Sequence, residues 1–552
     1  MYLKCLNEVE TITRELVKIP SIVKSEGGES KVAKWIFDYY SQIEYFKNNP
    51  DFLLFQQTID DEIVRHNTIA MVKGTKGNSN RAIVLMGHID TVGVDDFGEH
   101  KELAFDPDAN MEFLRNSQTT KEVLADIESG EYLFGRGALD MKSGVAGHMY
   151  IMDYFAKNPD KLDGYLIAAA ECDEEDNSHG AISILKLLIE WKKKYNLDYI
   201  SAINADYSTP YHPLDENRYI YFGTIGKLLP SFYVTGKETH VGDSYGGLNP
   251  NALVAEINRK IDLNPELSDM ALGELTVPPT SLKQADTKVG YTVQTPLAAY
   301  TYFNFFTHSM SPKDVMEKVK GKAEEAFDSI LLYMDDSYKS YCERANHPYT
   351  PLPYNRRVYT WEEFYNELRV KHGEKFQKHI EDFSNNLNKE NPIMDLRDFS
   401  VAVIEEALKW SEDKSPLIII YYSSTFSARI EMTGKTQNEK ALLDAVKESV
   451  QEIQTHSDKP LVLKMFYPYI SDSSFMALSD DPDELVALEK NMPAWGSKYI
   501  HPIDEILEIN VPVVNIGTFG KDGHKRTERV HKKHTFEIVP NITFRAIQKL
   551  LG

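Results

Sequence analysis

The chain has 552 residues, and its 61 lysines and arginines against 84 aspartates and glutamates give a formal net charge of −23. This length exceeds that of one typical domain, so two or more domains are predicted. The strong negative charge argues against a nucleic-acid partner and against binding to an anionic membrane surface.

The three cysteines, Cys5, Cys172 and Cys342, are too few and too scattered for a disulfide framework or a thiolate metal site. They favour a reducing compartment, and we predict a cytoplasmic protein. The longest apolar runs, such as Leu417–Tyr422, are far shorter than the ~18 residues that a membrane span requires. No membrane segment is therefore predicted.

The first two hundred residues alternate between amphipathic helical patterns and short apolar runs. Continuous apolar runs are typical of buried parallel strands, and the carboxyl ends of such strands are where ligands bind. This order predicts an α/β domain in which a mixed sheet is flanked by helices. The predicted helices lie at residues 1–17, 29–40 and 145–156, and the predicted strands at 67–72, 82–86, 165–170, 199–205 and, late in the chain, 511–517.

The pattern changes in the middle of the chain, where strands at 229–235, 281–286 and 298–306 are interleaved with a helix at 251–261. This order predicts a compact α+β unit inserted into the first domain. Residues 331–415 are interpreted as a helical excursion on its surface. We therefore predict a discontinuous α/β domain of residues 1–217 and 428–552, and an inserted domain of residues 218–427.

Acidic residues and histidines follow four of the predicted strands and lie in one glycine-rich loop. Considered alone, the acid in that loop is better explained as a cap of the next helix, and a histidine at a strand end as a core residue. Together they predict a metal site, because imidazole and carboxylate ligands suit zinc where no thiolates are offered. The set comprises His88, Asp140, Glu174, Glu175, Asp206 and His524.

Two histidines and three of these acids can serve two metal ions. Each ion then has three protein ligands and keeps one position open, as catalytic zinc sites do. The expected cofactor is two Zn²⁺, with Co²⁺ or Mn²⁺ as substitutes. We assign His88 and Asp206 to one ion, Glu175 and His524 to the other, and Asp140 to both as a bridge.

Two further carboxylates have predicted roles. Glu174 precedes a ligand and is not needed for coordination, so it can act as the general base. Asp90 lies two residues after His88 on an extended segment and therefore on the same face. It can accept the second ring N–H of that histidine and fix its tautomer.

Four motifs resemble, in order, those of the zinc-dependent carboxypeptidase, aminoacylase and desuccinylase family. They are His88-Ile-Asp90-Thr-Val, Gly135-Arg-Gly-x-x-Asp140-Met-Lys, Asp173-Glu174-Glu175 and His524-x-x-x-Glu528. The resemblance implies a dinuclear-zinc exopeptidase-like catalytic domain with an inserted lid and dimerisation domain, and a homodimer. It also implies metal-dependent hydrolysis of an amide or peptide bond in a small N-acyl amino acid or dipeptide-like substrate. Residues 469–474 and 517–529 are similar to an arginine-utilisation branch, which points to arginine degradation.

The resemblance also assigns residues in the inserted domain. The segment Gly236-Lys-Glu-Thr-His240-Val-Gly, with Asn251 after it, is similar to the family's lid motif, whose histidine stabilises an oxyanion across a dimer interface. His240 takes that role by resemblance, and Asn251 is expected to contact the substrate. Many relatives carry an arginine in the following lid strand, but residues 299–307 contain no arginine or lysine. Either Lys227 or Arg429 replaces it, or the substrate has no carboxylate there, and we expect the latter.

Two other functions are compatible with parts of the sequence. The stretch Gly242-Asp-Ser244-Tyr-Gly246 matches a serine-hydrolase pattern, but no buried strand precedes it and no helix follows directly. A non-catalytic member of the family that binds arginine-pathway metabolites is the other alternative, and Glu174 argues against it because a binding protein needs no general base.

Two local alternatives concern the C-terminal part. His531 and His534 compete with His524 as metal ligands, but only His524 has a glycine before it and Glu528 four residues after it. The six basic residues between 521 and 533 are typical of a nucleic-acid patch. The net charge instead favours a basic rim around a small-molecule substrate.

Overall fold

The computed structural model describes residues 2–552, which form two compact units. The first comprises the chain up to Thr224 with Ile430–Leu478 and Pro502–Gly552, and the second comprises Ile225–Arg429 with Ser479–His501. The predicted boundaries at 217/218 and 427/428 lie close to these divisions, whereas Ser479–His501 was expected in the first domain. This segment packs in the second unit, where the Tyr422 N–H donates to the Asn491 carbonyl at 2.8 Å.

The strands in chain order are β1 (Leu53–Gln57), β2 (His66–Lys73), β3 (Arg81–His88), β4 (Tyr132–Phe134), β5 (Tyr165–Glu171), β6 (Asp198–Asn204), β7 (Arg218–Phe222), β8 (Gly226–Leu228), β9 (Pro230–Thr235), β10 (Met270–Ala271), β11 (Glu274–Leu275), β12 (Thr280–Asp286), β13 (Ala298–Thr307), β14 (Val358–Thr360), β15 (Leu417–Tyr422), β16 (Leu461–Lys464), β17 (Val513–Asn515), β18 (Gly520–Lys521) and β19 (Arg529–His531).

The α-helices are α1 (Leu6–Val17), α2 (Gly28–Ser41), α3 (Glu44–Asn48), α4 (Pro107–Asn116), α5 (Lys121–Ser129), α6 (Lys142–Lys157), α7 (His179–Tyr195), α8 (Pro250–Ile261), α9 (Pro312–Ala345), α10 (Trp361–His372), α11 (Glu374–Glu390), α12 (Leu396–Leu408), α13 (Gln437–Ile453), α14 (Pro482–Lys490), α15 (Ile503–Ile509) and α16 (Val539–Leu551). Within residues 2–552, no helix has both the length and the apolar character needed to cross a membrane.

The first unit is built on a mixed sheet with the strand order β1-β2-β5-β3-β6-β17-β7-β16. Its centre is parallel, because β3 pairs in parallel with both β5 and β6, and β17 pairs in parallel with β6. The core packs α1 and α6 against this sheet, with Leu16, Met149 and Leu85 in one buried cluster. The predicted mixed α/β fold is confirmed, and the central parallel strands end at a common edge.

The second unit contains a sheet with the order β12-β13-β9-β15-β14. Buried and half-buried residues alternate along β13, as expected for a strand with one covered face. Helix α9 runs for 34 residues and begins at a capping box formed by Ser311 and Asp314.

Two assignments of the sequence pattern differ from the structure. Strand β7 belongs to the sheet of the first unit, although its residues were expected in the inserted domain. Strand β14, within the predicted helical excursion, pairs in parallel with β15 and so adds a strand to the second sheet. In both cases the partner strand is distant in sequence, so no local pattern reports the pairing.

Candidate metal centre

The predicted site residues of the first unit lie at the carboxyl edge of its sheet. His88 is the last residue of β3, Glu174 and Glu175 follow β5, and Asp206 follows β6. Asp140 lies in the loop before α6, and His524 lies in the loop between β18 and β19. Because β5, β3 and β6 are parallel neighbours, the residues that follow them lie side by side at the same edge of the sheet.

Two close approaches bring the Asp140 loop to these strand ends. A Cβ atom on Gly87 would lie 2.5 Å from the methyl carbon of Met141, and one on Gly144 would lie 2.4 Å from the Ala205 carbonyl oxygen. At Gly144 the neighbouring atom is backbone, so only glycine fits there, whereas at Gly87 the flexible end of Met141 can move aside. The start of α6 can therefore lie directly against the ends of β3 and β6.

The Asp140 carboxylate is the centre of the cluster. His88 Nε2 lies 2.9 Å from its Oδ1, and His524 Nε2 lies 2.9 Å from its Oδ2. His524 Nε2 also lies 3.0 Å from Oε1 of Glu175. Each oxygen of one carboxylate thus faces a different imidazole, which is the arrangement expected of a bridging ligand.

Burial and charge shape the protonation of this cluster. Burial alone would raise the pKa of Asp140, but hydrogen bonds from His524 and His88 hold it below its usual range. The hydrogen bond to Asp140 and the contact with Glu175 raise the pKa of His524 to about 10. Burial raises the pKa of Glu175.

Asp206 is 3% exposed and is linked to this group through charge rather than through a short contact. Burial, followed by the negative charge of Asp140, raises its pKa to about 7. Beside it, the Tyr467 hydroxyl donates to the Tyr207 carbonyl at 2.9 Å. The four closely joined residues are therefore His88, Asp140, Glu175 and His524, with Asp206 beside them.

The donor set fits divalent metal ions. Ligand atoms of His88, Asp140 and Glu175 all lie within 4.8 Å of one another. Two ligands of one tetrahedral zinc, each about 2.0–2.2 Å from the ion, would be roughly 3.3 Å apart, close to the contacts at Asp140. Several buried carboxylates around two imidazoles also need positive charge for compensation.

Glu174 and Asp90 lie beside the cluster. Glu174 Oε2 is 3.9 Å from His88 Nε2, and burial raises the pKa of Glu174 well above its usual value. The ring nitrogen His88 Nδ1 lies 3.2 Å from the Asp90 backbone carbonyl and 3.5 Å from its carboxylate, so the main chain is the nearer acceptor. The Asp90 carboxylate instead accepts the Glu175 N–H at 3.0 Å. Asp90 thus contacts both His88 and the loop that carries Glu175.

The Asp140 loop is held by a buried acid whose contact the sequence does not reveal. Glu528 Oε1 accepts the N–H groups of Leu139 at 3.1 Å and Asp140 at 3.4 Å, and its other oxygen lies 3.3 Å from Arg136. The motif His524-x-x-x-Glu528 contains this residue, but its spacing says nothing about a partner 388 residues earlier. Arg65, which contacts Asp173 at 2.7 Å, had no local signal.

The competing histidines lie elsewhere in the first unit. His531 is in β19, and its Nδ1 accepts the His534 N–H at 3.2 Å. Burial lowers the pKa of His531 to about 4. Of the three C-terminal histidines, it is His524 that contacts Asp140.

The candidates of the second unit lie on separate elements. His240 is in an exposed turn, where its Nδ1 accepts the Gly242 N–H at 3.0 Å. Asn251, at the start of α8, donates to Asp286 at 2.9 Å. Lys227 is half-buried in β8, and burial lowers its pKa to about 8.

Arg429 and Ser244 have partners that bear on their predicted roles. The Arg429 Nε lies 3.0 Å from Asp480 Oδ1, and both side chains are almost fully buried. The Ser244 hydroxyl donates to the Val241 carbonyl at 2.8 Å in a short turn, and the next helix begins only at Pro250. The strand–serine–helix elbow of serine hydrolases is therefore absent around Ser244.

Comparisons with known proteins place this geometry in a family. Protein RocB of Bacillus subtilis (strain 168) is 34% identical over 532 residues, which cover 96% of this chain and 93% of the relative. Uncharacterized protein YqjN of the same organism is 30% identical over 551 residues, covering 99% and 96%.

The structure of the M20 family metallo-carboxypeptidase Sso-CP2 from Sulfolobus solfataricus covers 99% of this chain and 100% of its own. Its TM-score is 0.51 at 12% identity, so this likeness shows the fold alone. The profile of Peptidase family M20/M25/M40 matches residues 84–516. The resemblance carried by the four motifs is thereby confirmed, and the chain belongs to Peptidase family M20/M25/M40.

Proposed function

We propose that this hydrolase cleaves an amide or peptide bond in a small N-acyl amino acid or dipeptide-like substrate, with two Zn²⁺ ions as cofactor. The observation that carries the proposal is the Asp140 carboxylate, which has His88 Nε2 2.9 Å from one oxygen and His524 Nε2 2.9 Å from the other. A carboxylate between two imidazoles offers donors that suit a pair of divalent ions.

The ligand assignment follows from this arrangement. His88 and Asp206 would hold one ion, Glu175 and His524 the other, and Asp140 both. Bound divalent ions supply Lewis acidity and positive charge for attack on an amide carbonyl. Asp90 orients the first histidine through its main chain, and Glu528 fixes the loop of the shared carboxylate.

Glu174 is the proposed general base. Its carboxylate lies beside His88 but outside the short contacts of the cluster, so it is available for proton transfer. It accepts a proton from the attacking water as the new C–O bond forms, and donates it to the nitrogen as the C–N bond breaks. Such transfer typically contributes ~10²–10⁴-fold to the rate.

The second unit is proposed as a lid and dimerisation domain. Its sheet ends at β12, whose outer edge has no strand partner among residues 2–552 and whose Leu282 is 57% exposed. Exposed edge strands are sites of strand pairing with another chain. We propose a homodimer through this domain, in which His240 stabilises the oxyanion and Asn251 contacts the substrate.

The absence of a cation from residues 299–307 bears on the substrate. Strand β13 directs Tyr300, Tyr302 and Phe306 to its half-buried face. Aromatic side chains offer apolar and stacking surface, so we propose a substrate group without a free carboxylate at this place. Arg429, already paired with Asp480, is a poor replacement clamp, and Lys227 remains the other candidate.

A role in arginine degradation and a cytoplasmic location remain predictions. The first depends on the similarity of residues 469–474 and 517–529 to the arginine-utilisation branch, and the second on the scattered cysteines. Comparing arginine-pathway N-acyl compounds with other N-acyl amino acids tests the first.

The proposed reaction is tested by removing and restoring metal. Dialysis against a chelator should abolish hydrolysis of a panel of N-acyl amino acids, their carboxamides and dipeptides, and zinc or cobalt should restore it. Ser244→Ala should leave the rate unchanged. Turnover that survives chelation and is lost in Ser244→Ala would instead support a serine mechanism, and no turnover on any panel member with metal bound would support a non-catalytic binder.

A further inference from the structure

Asp173, the residue before the proposed general base, is fully buried and contacted from several sides. Arg65 Nη1 lies 2.7 Å from its Oδ1. Its Oδ2 accepts from His179 Nδ1 at 2.6 Å and from the His179 backbone N–H, the first of α7, at 3.1 Å. The Asp173 N–H itself donates to Glu29 at 3.0 Å. These residues, Arg65, Glu29 and His179 around Asp173, are called the Asp173 clamp below.

The Asp173 clamp is itself anchored in the core. Arg65 Nε lies 3.0 Å from Glu29, and Arg65 Nη1 donates to Asp61 at 3.1 Å. The side chains of Arg65 and Glu29 are 3% and 1% exposed. Burying several charged groups together has a desolvation cost that their mutual attraction often only offsets, so the cluster is weak evidence of a contribution to stability.

The loop that begins at Asp173 has an unusual backbone conformation that the Asp173 clamp contacts directly. Asp173 has φ +69°, a left-handed conformation that is uncommon outside glycine, although aspartate tolerates it better than most residues. Its carbonyl accepts the Ser178 N–H at 2.8 Å, which closes the loop. Two residues later, the Glu175 N–H donates to Asp90 at 3.0 Å. Glu174 therefore lies between two residues, Asp173 and Glu175, whose backbones are held by hydrogen bonds.

We propose that Arg65 and His179 are positioning residues that act through Asp173 to place Glu174 for proton transfer and Glu175 for metal binding. This inference rests on the proposed function. Neither residue touches the cluster around Asp140, and each acts by fixing the backbone from which the two glutamates extend. Supporting contacts of this kind typically change metal affinity by ~10–100-fold.

The test uses His179→Ala, because this side chain is 26% exposed and its removal leaves the contacts of Arg65 with Asp173 and Glu29 in place. His179→Asn is the rescue variant, since its amide can donate to Asp173, and Arg65→Lys tests the other side of the clamp. His456→Ala, an exposed histidine that stacks on Tyr2 in the same unit, is the matched control.

Two readouts distinguish positioning from folding. Competition titration with a chromophoric chelator gives the number of zinc ions and their affinities, and hydrogen exchange in metal-free protein reports the order of residues 172–178. We expect His179→Ala and Arg65→Lys to bind one zinc ion about tenfold more weakly. Their amide hydrogens in residues 172–178 should exchange faster, and kcat should fall while KM stays unchanged. His179→Asn should recover most of each property.

Wild-type affinities, exchange and kcat in His179→Ala would overturn the inference while leaving the proposed function intact. Failure of the wild-type protein to bind zinc would overturn the proposed function, and the exchange of residues 172–178 would then still decide whether the clamp orders the loop. If Arg65→Lys does not fold, His179→Ala and its rescue decide alone.

Discussion

The predicted site residues of the first unit lie close together in the structure, whereas those of the second unit do not. In the first unit, the side chains of four predicted ligands are joined by contacts of 3.0 Å or less, although the residues lie between positions 88 and 524 in the chain. In the second unit, His240, Asn251, Lys227 and Arg429 lie on different elements, and each has local surroundings of its own. A parallel sheet brings the ends of its strands to one edge, whereas the strand, helix and turns that carry the second set share no such edge.

The two units differ in how far core packing fixes the position of each functional side chain. His88 is 2% exposed and is held by the register of β3 against β5, so its place follows from core packing. His240 is exposed in a turn, so its role depends on what approaches it. Predictions for the first unit should therefore show large effects on metal and rate, and those for the second should separate stability from catalysis.

The largest effect is expected from Asp140→Ala. This substitution removes the carboxylate that faces both imidazoles, so both ions should be lost and hydrolysis should fall to background. Elemental analysis of the reconstituted protein and a rate assay measure the two losses. Asp153→Ala, which removes an acid further along α6 that pairs with Lys157, should bind metal and turn over normally.

Glu174→Gln should separate metal binding from turnover. The amide keeps the shape of the side chain but cannot carry the proton, so kcat should fall by ~10²–10⁴-fold. Both ions should remain, because the ligands are unchanged. A near-normal kcat would exclude Glu174 as the base, and a loss of metal would make it a ligand.

Arg429→Met tests whether the second unit uses this arginine for structure or for substrate. The change leaves the Asp480 carboxyl buried without its guanidinium partner, and losing one member of such a pair costs about 3–5 kcal/mol. We expect a lower free energy of unfolding by urea and an unchanged KM in the folded fraction. The double variant Arg429→Met/Asp480→Leu should recover most of the stability. A raised KM for carboxylate substrates at normal stability would instead make Arg429 the carboxylate clamp.

The two units should differ least in how acid affects their stability, because each contains a buried histidine. Burial lowers the pKa of both His148 in the first unit and His501 in the second to about 3. An unfolded histidine has a pKa of about 6.5, so between these values the unfolded chain binds protons that the folded chain does not. Stability is thus complete above about pH 6.5 and is lost as the pH falls toward 3.

Replacing His148 by Leu should remove this contribution in the first unit. Between pH 7 and pH 5, the wild-type protein should lose about 2 kcal/mol more unfolding free energy than His148→Leu. Urea unfolding at the two pH values measures the difference. Equal losses would mean that His148 is accessible to protons in the folded chain.

The strands that carry the site could be predicted because their signal is local. The apolar run before His88 and the run before Glu171 each indicate a buried strand, and the polar residues that follow mark its carboxyl end. The α/β order then predicts that these ends share an edge. The glycine-rich loop around Asp140 alone favours a helix cap, and it is the other acids and histidines of the set that predict Asp140 as a shared ligand.

Other features depend on partners far away in the chain and had no local signal. Strand β7 joins the first sheet through β17 and β16, which lie more than two hundred residues later. In the sequence, Arg65 is a polar residue before a strand, and its contact with Asp173 is seen only in the folded structure. Pairing between distant segments is decided by packing, which no single stretch of sequence encodes.

The most direct test of the central claim is a crystal structure of the zinc-loaded protein with anomalous scattering recorded at the zinc edge. We expect two anomalous peaks, one on each side of the Asp140 carboxylate, with His88 and Asp206 at one ion and Glu175 and His524 at the other. A single peak, or two peaks that do not share Asp140, would contradict the assignment of this carboxylate as the bridge on which the site is built.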